Sequence, residues 1–498
     1  MDDTLRSNKK LCFEELEQNN ICHQCIGDNY LSAGIRDAGS ILECDYCGDS
    51  EEPTAPLVEI ADRVEAVFHD HFERTPAEPN WYEEQLLKDK EIEFSWWREG
   101  QPTIDAIEEV ASVSVEVAGD LQKILYNRHA SYDEYWEEAE FDAGAHYWDT
   151  PADNSEIWEQ WREFERELKT ETRYFSPHAA DFLKMIFADL ASLKTRDGKS
   201  LVIEAGPDNE IKGFYRARHF ETEASLVGAM KKPDHELAPP PARFASAGRM
   251  NSRGVAAFYG ANLPEAALAE VRPPVGSRVL VAKFRLKRNV RLLDLSSLPQ
   301  IGIAGSYFDP DFLPLLKRTK FLGDLAAIMS MPVMPSDADL EYLPTQVIAD
   351  YLSRALDTPL DGVLFPSVQT DVREEGDDNK PQFLNVVLFN KSSRVSRFDH
   401  PAETEVDAHT WQMYNEGPEP EYRVRVRLPQ SKETEAVKPQ FDPAIEMQEF
   451  PPDLDVRLET LEVDVDSLTV HVVRGVRILA EPHDVHWVQY TMAEDNTF

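Results

Sequence analysis

Between residues 51 and 200 the apolar positions recur every three to four residues, the period of helices buried on one side. Trp158, Trp161, Phe164 and Leu168 follow a candidate cap at Ser155, and Phe182, Leu183, Ile186, Phe187, Leu190 and Leu193 form a second stripe. Glu residues fill the intervening positions and read as a solvated face. Seven of the nine tryptophans fall in this stretch (Trp81, Trp96, Trp97, Trp136, Trp148, Trp158 and Trp161), which predicts a packed helical core rather than a ligand box. Near residue 201 the texture changes. Leu201–Glu204, Val279–Phe284, Val290–Leu293, Gly362–Phe365 and Phe383–Phe389 read as strands, with helices at Pro264–Val271 and Pro344–Ala355 between them. Residues 401–450 are rich in Pro and acid and read as a linker. Leu458–Val465 and Leu468–Val473 read as a hairpin turning at Asp466-Ser467. No internal repeat is present.

The chain is 498 residues long and 42% hydrophobic, enough for several domains with ordinary cores. Its net charge of −41 repels phosphate backbones at long range, so nucleic acid is a poor partner for the bulk surface. No run of about 18 apolar residues predicts a membrane span. The first residues lack the basic-then-apolar pattern of a signal peptide, and five cysteines do not make a secreted disulfide framework. The expectation is a soluble, cytoplasmic protein.

All five cysteines precede residue 50. Cys22-His23-Gln24-Cys25 and Cys44-Asp45-Tyr46-Cys47 form two knuckles that suit one tetrahedral zinc. Four thiolates leave no open position, so the predicted zinc is structural. Reduced core cysteines or two disulfides are the competing readings. Cys12 is left over as a buried apolar residue, and His23 is a weaker ligand candidate.

Several motifs fail. Asp197-Gly198-Lys199-Ser200 resembles the end of a phosphate-binding loop, but Leu193 stands where its first glycine belongs. No dinucleotide-binding glycine fingerprint, HExxH or GxSxG occurs. His69-Asp70-His71 reads as a surface pair. Arg173 to His178 fits only a loose spacing found in helical ribonucleases.

The chemistry-bearing stretch is locally basic within this acidic chain. It holds Tyr215-Arg216-Ala217-Arg218, Gly248-Arg249-Met250-Asn251-Ser252-Arg253-Gly254, Tyr259-Gly260-Ala261 and Ala267-Leu268-Ala269-Glu270. Glu341 to Gln346, Pro366-Ser367 and Asn385 lie downstream. Guanidinium forks on Arg216, Arg218, Arg249 and Arg253 match a diphosphate. Tyr259 offers a ring for stacking, and Glu270 a carboxylate for a cationic transition state. Scattered surface arginines, a core tyrosine and a solvated glutamate are the plain alternative.

The order of these pieces resembles the RES domain family, with Met250 where members usually carry Trp. The cysteine pairs and acidic helices before them are similar to the HEPN-like region preceding some RES domains. The resemblance implies a multidomain chain. A four-cysteine zinc module (1–50) and an acidic helical domain (51–200) come first. An α+β RES domain (201–400), similar in fold to ADP-ribosylating toxins, follows, and then a linker with a β-rich extension (401–498). It implies cleavage of the nicotinamide–ribose bond of NAD+, with water, phosphate or a protein side chain as acceptor, in a toxin or defence role. A neutralising protein partner is implied as well. The family's catalytic residues would be Arg249, Tyr259 and Glu270, with Arg216, Arg249, Tyr259, Ser367 and Asn385 binding the dinucleotide. Competing expectations are a nucleotide-binding regulator without turnover and a ribonuclease acting through the helices.

Overall fold

The computed structural model describes residues 16–88, 95–130, 138–150, 153–331, 333–334, 336–367, 382–401, 403–414, 417–429 and 455–476, with 483 and 485. The chain divides into two compact units, residues 1–201 with 296–329, and residues 202–295 with 330–498.

In the first unit, the strand Asn20–Cys22 pairs antiparallel with Pro53–Pro56, which also pairs with Ser40–Ile41. Helix α1 (Asn29–Ala38) is capped by Asp28, whose side chain accepts from Leu31 N–H at 2.9 Å. Helices α2 (Leu57–His71), α3 (Thr103–Ala111) and α4 (Val115–His129) follow. Ile21, Leu31, Leu57, Ile60, Val64, Phe68, Ile107, Leu121 and Leu125 form one core, so the first knuckle's strand is anchored by the helices.

A second packing layer joins α5 (Ser155–Thr170), α6 (Pro177–Ile186) and a later helix, α9 (Phe312–Ser330). Trp161, Phe164, Phe182 and Phe321 pack ring against ring with centroids 5.2–6.3 Å apart. Trp158 is half-buried, edge-on to Phe321. The tryptophans do not all serve this core. Trp81 is 75% and Trp97 71% exposed, and Trp148 is also exposed. Trp136 and Cys12 lie outside the described residues. The predicted cap also shifts, with Asn154 preceding the helix and Asp153 accepting from Ser155 N–H at 2.9 Å.

The second unit is built on an eight-stranded sheet. Its strands are β1 (Val202–Ala205), β2 (Gly213–Phe220), β3 (Phe258–Ala261), β4 (Arg278–Leu286), β5 (Val290–Asp294), β6 (Gly362–Pro366), β7 (Leu384–Leu388) and β8 (Leu461–Val472). Their order is β8-β4-β2-β3-β7-β6-β5-β1. All neighbours are antiparallel except β5 and β6. A parallel pair demands a long crossover. Here the crossover runs from Asp294 to Gly362 and carries residues 296–329 into the first unit.

Phe214, Phe258, Phe284, Leu364 and Val386 line one sheet face, packed beside helix α7 (Glu223–Lys231). Ala217, Ala261, Val279 and Val281 line the other face, with Ala266 and Ala267 of α8 (Pro264–Glu270) against them. These alternations obey the two-residue period of strands.

Two expectations fail near the end of the chain. Leu461–Val472 is one edge strand along β4, not a hairpin. Where its register shifts between Val281 and Lys283, Lys283 N–H donates to Ser467 Oγ at 2.7 Å. Asp466-Ser467 is therefore absorbed as a bulge, because nine-residue β4 offers one continuous partner. The expected linker contains an antiparallel hairpin, Glu405–Tyr414 with Gly417–Arg427, and its Ala408, Tyr422 and Val424 join the sheet core. Among the described residues no helix is long and apolar enough to cross a membrane.

Candidate functional site

The four knuckle sulfurs converge within 4.8 Å of one another. Cys22 Sγ lies 3.5 Å from Cys25 Sγ and 3.5 Å from Cys47 Sγ, and Cys25 Sγ lies 3.8 Å from Cys44 Sγ. Disulfide bonds are about 2.05 Å long, whereas thiolates around a zinc at about 2.3 Å sit about 3.8 Å apart. The donor set therefore fits a tetrahedral metal ion. Strand pairing holds the first knuckle, and Gly48, with φ of +75°, turns the second so that its N–H meets the Cys44 carbonyl at 2.8 Å. Burial and neighbouring thiols push the Cys22 and Cys25 thiols up. At Cys44 burial is outweighed by backbone N–H donors, which hold the thiol at about 7. His23 is turned to Glu52 at 2.8 Å rather than to the sulfurs.

In the sheet unit, Gly248 and Asn251 exchange backbone hydrogen bonds (2.9 and 3.4 Å), placing Arg249 and Met250 at the corner of a tight turn. The Tyr259 hydroxyl donates to Asn251 Oδ1 at 2.6 Å and accepts from Met250 N–H at 3.2 Å. Asn251 Nδ2 in turn donates to the Ser246 and Val255 carbonyls at 3.0 and 2.8 Å. A Cβ on Gly248 would stand 2.6 Å from both the Tyr259 hydroxyl and Asn251 Oδ1, so only glycine fits. Met250 is buried, as a packing replacement should be. Burial pushes the Tyr259 phenol up to about 12, against the opposing pull of Met250 N–H and Arg249, so it stays a donor.

Helix α10 (Leu343–Asp350) braces the turn from outside. Thr345 Oγ1 donates to the Arg249 carbonyl at 2.6 Å, and Gln346 Nε2 donates to the Gly248 carbonyl at 2.9 Å. The Arg249 guanidinium carbon lies 5.9 Å from the Tyr342 ring centroid. Asn251, Thr345 and Gln346 are residues to which sequence reasoning gave no role. Their signal was membership of the segments already singled out, Asn251 in Gly248–Asn251 and Thr345 and Gln346 in Glu341–Gln346.

Glu270 ends α8, exposed, and Asn385 Nδ2 donates to its Oε2 at 3.1 Å. Asn385 faces Ala261 across β3 and β7, while Tyr259 faces Val387. The alternation puts Tyr259, Ala261 and Asn385 on one sheet face, the face α8 covers. Asn385 and Ser367 are buried, and among the described residues Asn385 Oδ1 and Ser367 Oγ have no hydrogen-bond partner. Such orphaned polar atoms carry a cost that a bound ligand or water would relieve.

The remaining arginines are dispersed. Strands β2 and β3 pair at one position, Ala261 with Tyr215. Beyond it the Arg216 guanidinium bridges the strands, donating to the Tyr259 carbonyl at 2.8 Å and lying 5.3 Å from the Phe258 ring centroid. It therefore sits on the face opposite the Tyr259 side chain. Burial and nearby Arg218 push its pKa down to about 10, so it remains charged at neutral pH. Arg218 pairs with Glu236 at 3.1 Å, and Arg253 is exposed. In the first unit His178 lies 3.4 Å from Glu167, and exposed His69 pairs with Asp70 at 2.9 Å.

A four-cysteine cluster in a helical unit, and a mixed-sheet unit with Tyr259 on a strand, Arg249 on a turn and Glu270 at a helix end, define a two-part protein. Residues 214–412 match the RES domain model, and residues 37–181 match the model of HEPN/RES N-terminal domain 1. The chain is thus a RES-domain protein with a HEPN/RES N-terminal domain. The first knuckle precedes both matches. No curated protein and no solved structure matches the chain.

Proposed function

We propose that the sheet unit binds NAD+ and breaks its nicotinamide–ribose bond. RES domains are associated with NAD-related toxin–antitoxin roles. The observation that carries the reading is the joint placement of Tyr259, Glu270 and Asn385 around one sheet face, beside the turn that bears Arg249.

In this reading the Arg249 guanidinium grips the diphosphate, and Tyr259, fixed by Asn251, stacks beside the nicotinamide ring. The breaking C–N bond gives its electron pair to the ring nitrogen, which leaves neutral and needs no acid. The ribose left behind is oxocarbenium-like and faces the Glu270 carboxylate. Asn385 holds one Glu270 oxygen and leaves the other for ribose or acceptor. Arg216, on the opposite face of the sheet, braces the Tyr259 strand through the Tyr259 carbonyl and so supports the site from behind instead of gripping the diphosphate. Ser367 supplies a hydroxyl. Water, phosphate or a protein side chain then bonds to the anomeric carbon and loses its proton to solvent.

The mixed sheet, with Arg, Tyr and Glu on successive elements, supports a likeness to ADP-ribosylating toxins. A cytoplasmic toxin or defence role with a neutralising partner accords with this chemistry. Zinc on Cys22, Cys25, Cys44 and Cys47 completes the reading as a closed structural ion. The test is incubation of the purified protein with NAD+, scored by free nicotinamide and by the mass of the ADP-ribose product. Bound but uncleaved NAD+ would reduce the reading to a nucleotide-binding regulator.

A further inference from the structure

In the first unit a cleft of about 430 Å³ opens between the Asp28 cap of α1, the end of α3, the strand His146–Asp149 and residues 305–307. That size lies within the range of small-ligand sites. Its walls include Phe72, Trp148 and Tyr307, and three carboxylates line the same space. Each carboxylate is tied through one oxygen to neutral donors. Asp28 Oδ1 accepts from Leu31 N–H and the Ser306 hydroxyl, both at 2.9 Å. Glu109 Oε2 accepts from Gln101 Nε2 at 2.7 Å, and Asp149 Oδ2 accepts from the Tyr307 hydroxyl at 2.8 Å. Among the described residues none of the three forms an ion pair. Asp28 is offset in part by the positive end of α1, which it caps, whereas Glu109 and Asp149 are oriented by neutral donors alone among the described residues.

Ser112, at the C-terminal end of α3, also lines the cleft, so the negative end of that helix adds to the field. A phosphate is repelled here. A cation gains from the carboxylates and from the exposed Trp148 ring on the cleft wall. We propose that this cleft binds an organic cation bearing ammonium or guanidinium groups. The same chemistry is offered by a free amine and by a Lys or Arg side chain of a basic partner.

The full chain is titrated calorimetrically at physiological salt with agmatine, which carries one guanidinium and one ammonium, and separately with a short Lys/Arg peptide. Binding of agmatine identifies a free cation as sufficient, and binding of the peptide alone assigns the source to a protein side chain. Either result is expected to weaken about tenfold or more in the Glu109→Gln/Asp149→Asn double variant, and a few-fold in Trp148→Leu. Glu109, Asp149 and Trp148 are exposed, so unchanged melting of these variants is expected and separates lost binding from lost folding. Glu116→Gln removes an exposed charge of α4 outside the cleft and is expected to leave affinity within about twofold of the parent. Two results overturn the proposal. One is no binding of either probe. The other is equal weakening by Glu116→Gln, which would mean diffuse attraction to a chain of net charge −41.

Discussion

Replacing Arg249 with alanine separates ligand binding from architecture. The turn that carries Arg249 is held by backbone bonds between Gly248 and Asn251, by Thr345 on the Arg249 carbonyl and by Gln346 on the Gly248 carbonyl. All of these survive Arg249→Ala. The side chain's contact with the Tyr342 ring, at 5.9 Å, is near the limit of cation–π attraction and contributes about 1 kcal/mol or less. Thermal melts of the variant read any stability the side chain supplies, separately from its effect on ligand binding. A charge-assisted grip on the diphosphate is worth roughly 1.5–3 kcal/mol, so NAD+ affinity should fall by about one to two powers of ten. Arg249→Lys should recover part of this, because a point charge lacks the planar fork. Nicotinamide alone touches no phosphate and should bind all three proteins alike. Calorimetric titration of both ligands, with thermal melts of each variant, measures these quantities. Equal losses for nicotinamide and NAD+ would refute the assignment, since Arg249 would then shape the pocket instead of gripping phosphate.

Glu270→Gln keeps the side chain's shape, and Glu270 is exposed, so nicotinamide release should be abolished while NAD+ affinity and melting persist. Undiminished release would remove Glu270 from the chemistry. Metal analysis should find about one zinc per chain, and a strong chelator should unfold the knuckle region, seen as new proteolysis between residues 16 and 56. A metal-free protein with that region intact would contradict the zinc reading. Phe321→Ala should destabilise the helical unit by about 3–5 kcal/mol, because this ring is fully buried against Trp161 and Phe182. Denaturant titration of the parent and the variant reads that loss. A shift below about 1 kcal/mol would mean the helix Phe312–Ser330 does not pack there.

Local chemistry made much of this protein legible. Two CxxC pairs can do few things at that spacing, and their sulfurs do converge. Period-two apolar runs gave β4, β5, β6 and β7 to within a residue or two, since a buried strand must alternate or be apolar throughout. The helical stripe of α5 followed likewise from a one-sided core, whereas the second stripe is helical only to Ile186, and Phe187 and Leu190 are buried in the turns beyond α6. Tryptophan content was a poorer guide, because Trp81 and Trp97 face solvent even though their residue type favours burial.

Long-range pairing lay beyond such reading. Nothing local distinguishes the bulge at Asp466-Ser467 from a hairpin turn, and only the unbroken length of β4 across from it decides. No periodicity announces that a parallel β5–β6 pair sends residues 296–329 out to pack with Trp158 and Trp161, because a crossover's destination depends on which distant apolar face remains uncovered. The candidate site divides in the same way. The residue types of Arg249, Tyr259 and Glu270 could be singled out along the chain. That the turn at Gly248–Asn251 brings Asn251 to the Tyr259 hydroxyl was not legible along the chain, and that Asn385 meets Glu270 and Arg216 bridges to the Tyr259 carbonyl depended on strand register. A hydrogen bond needs two groups within about 3 Å, and across the 115 residues between Glu270 and Asn385 or the 43 between Arg216 and Tyr259 only the tertiary fold sets that distance.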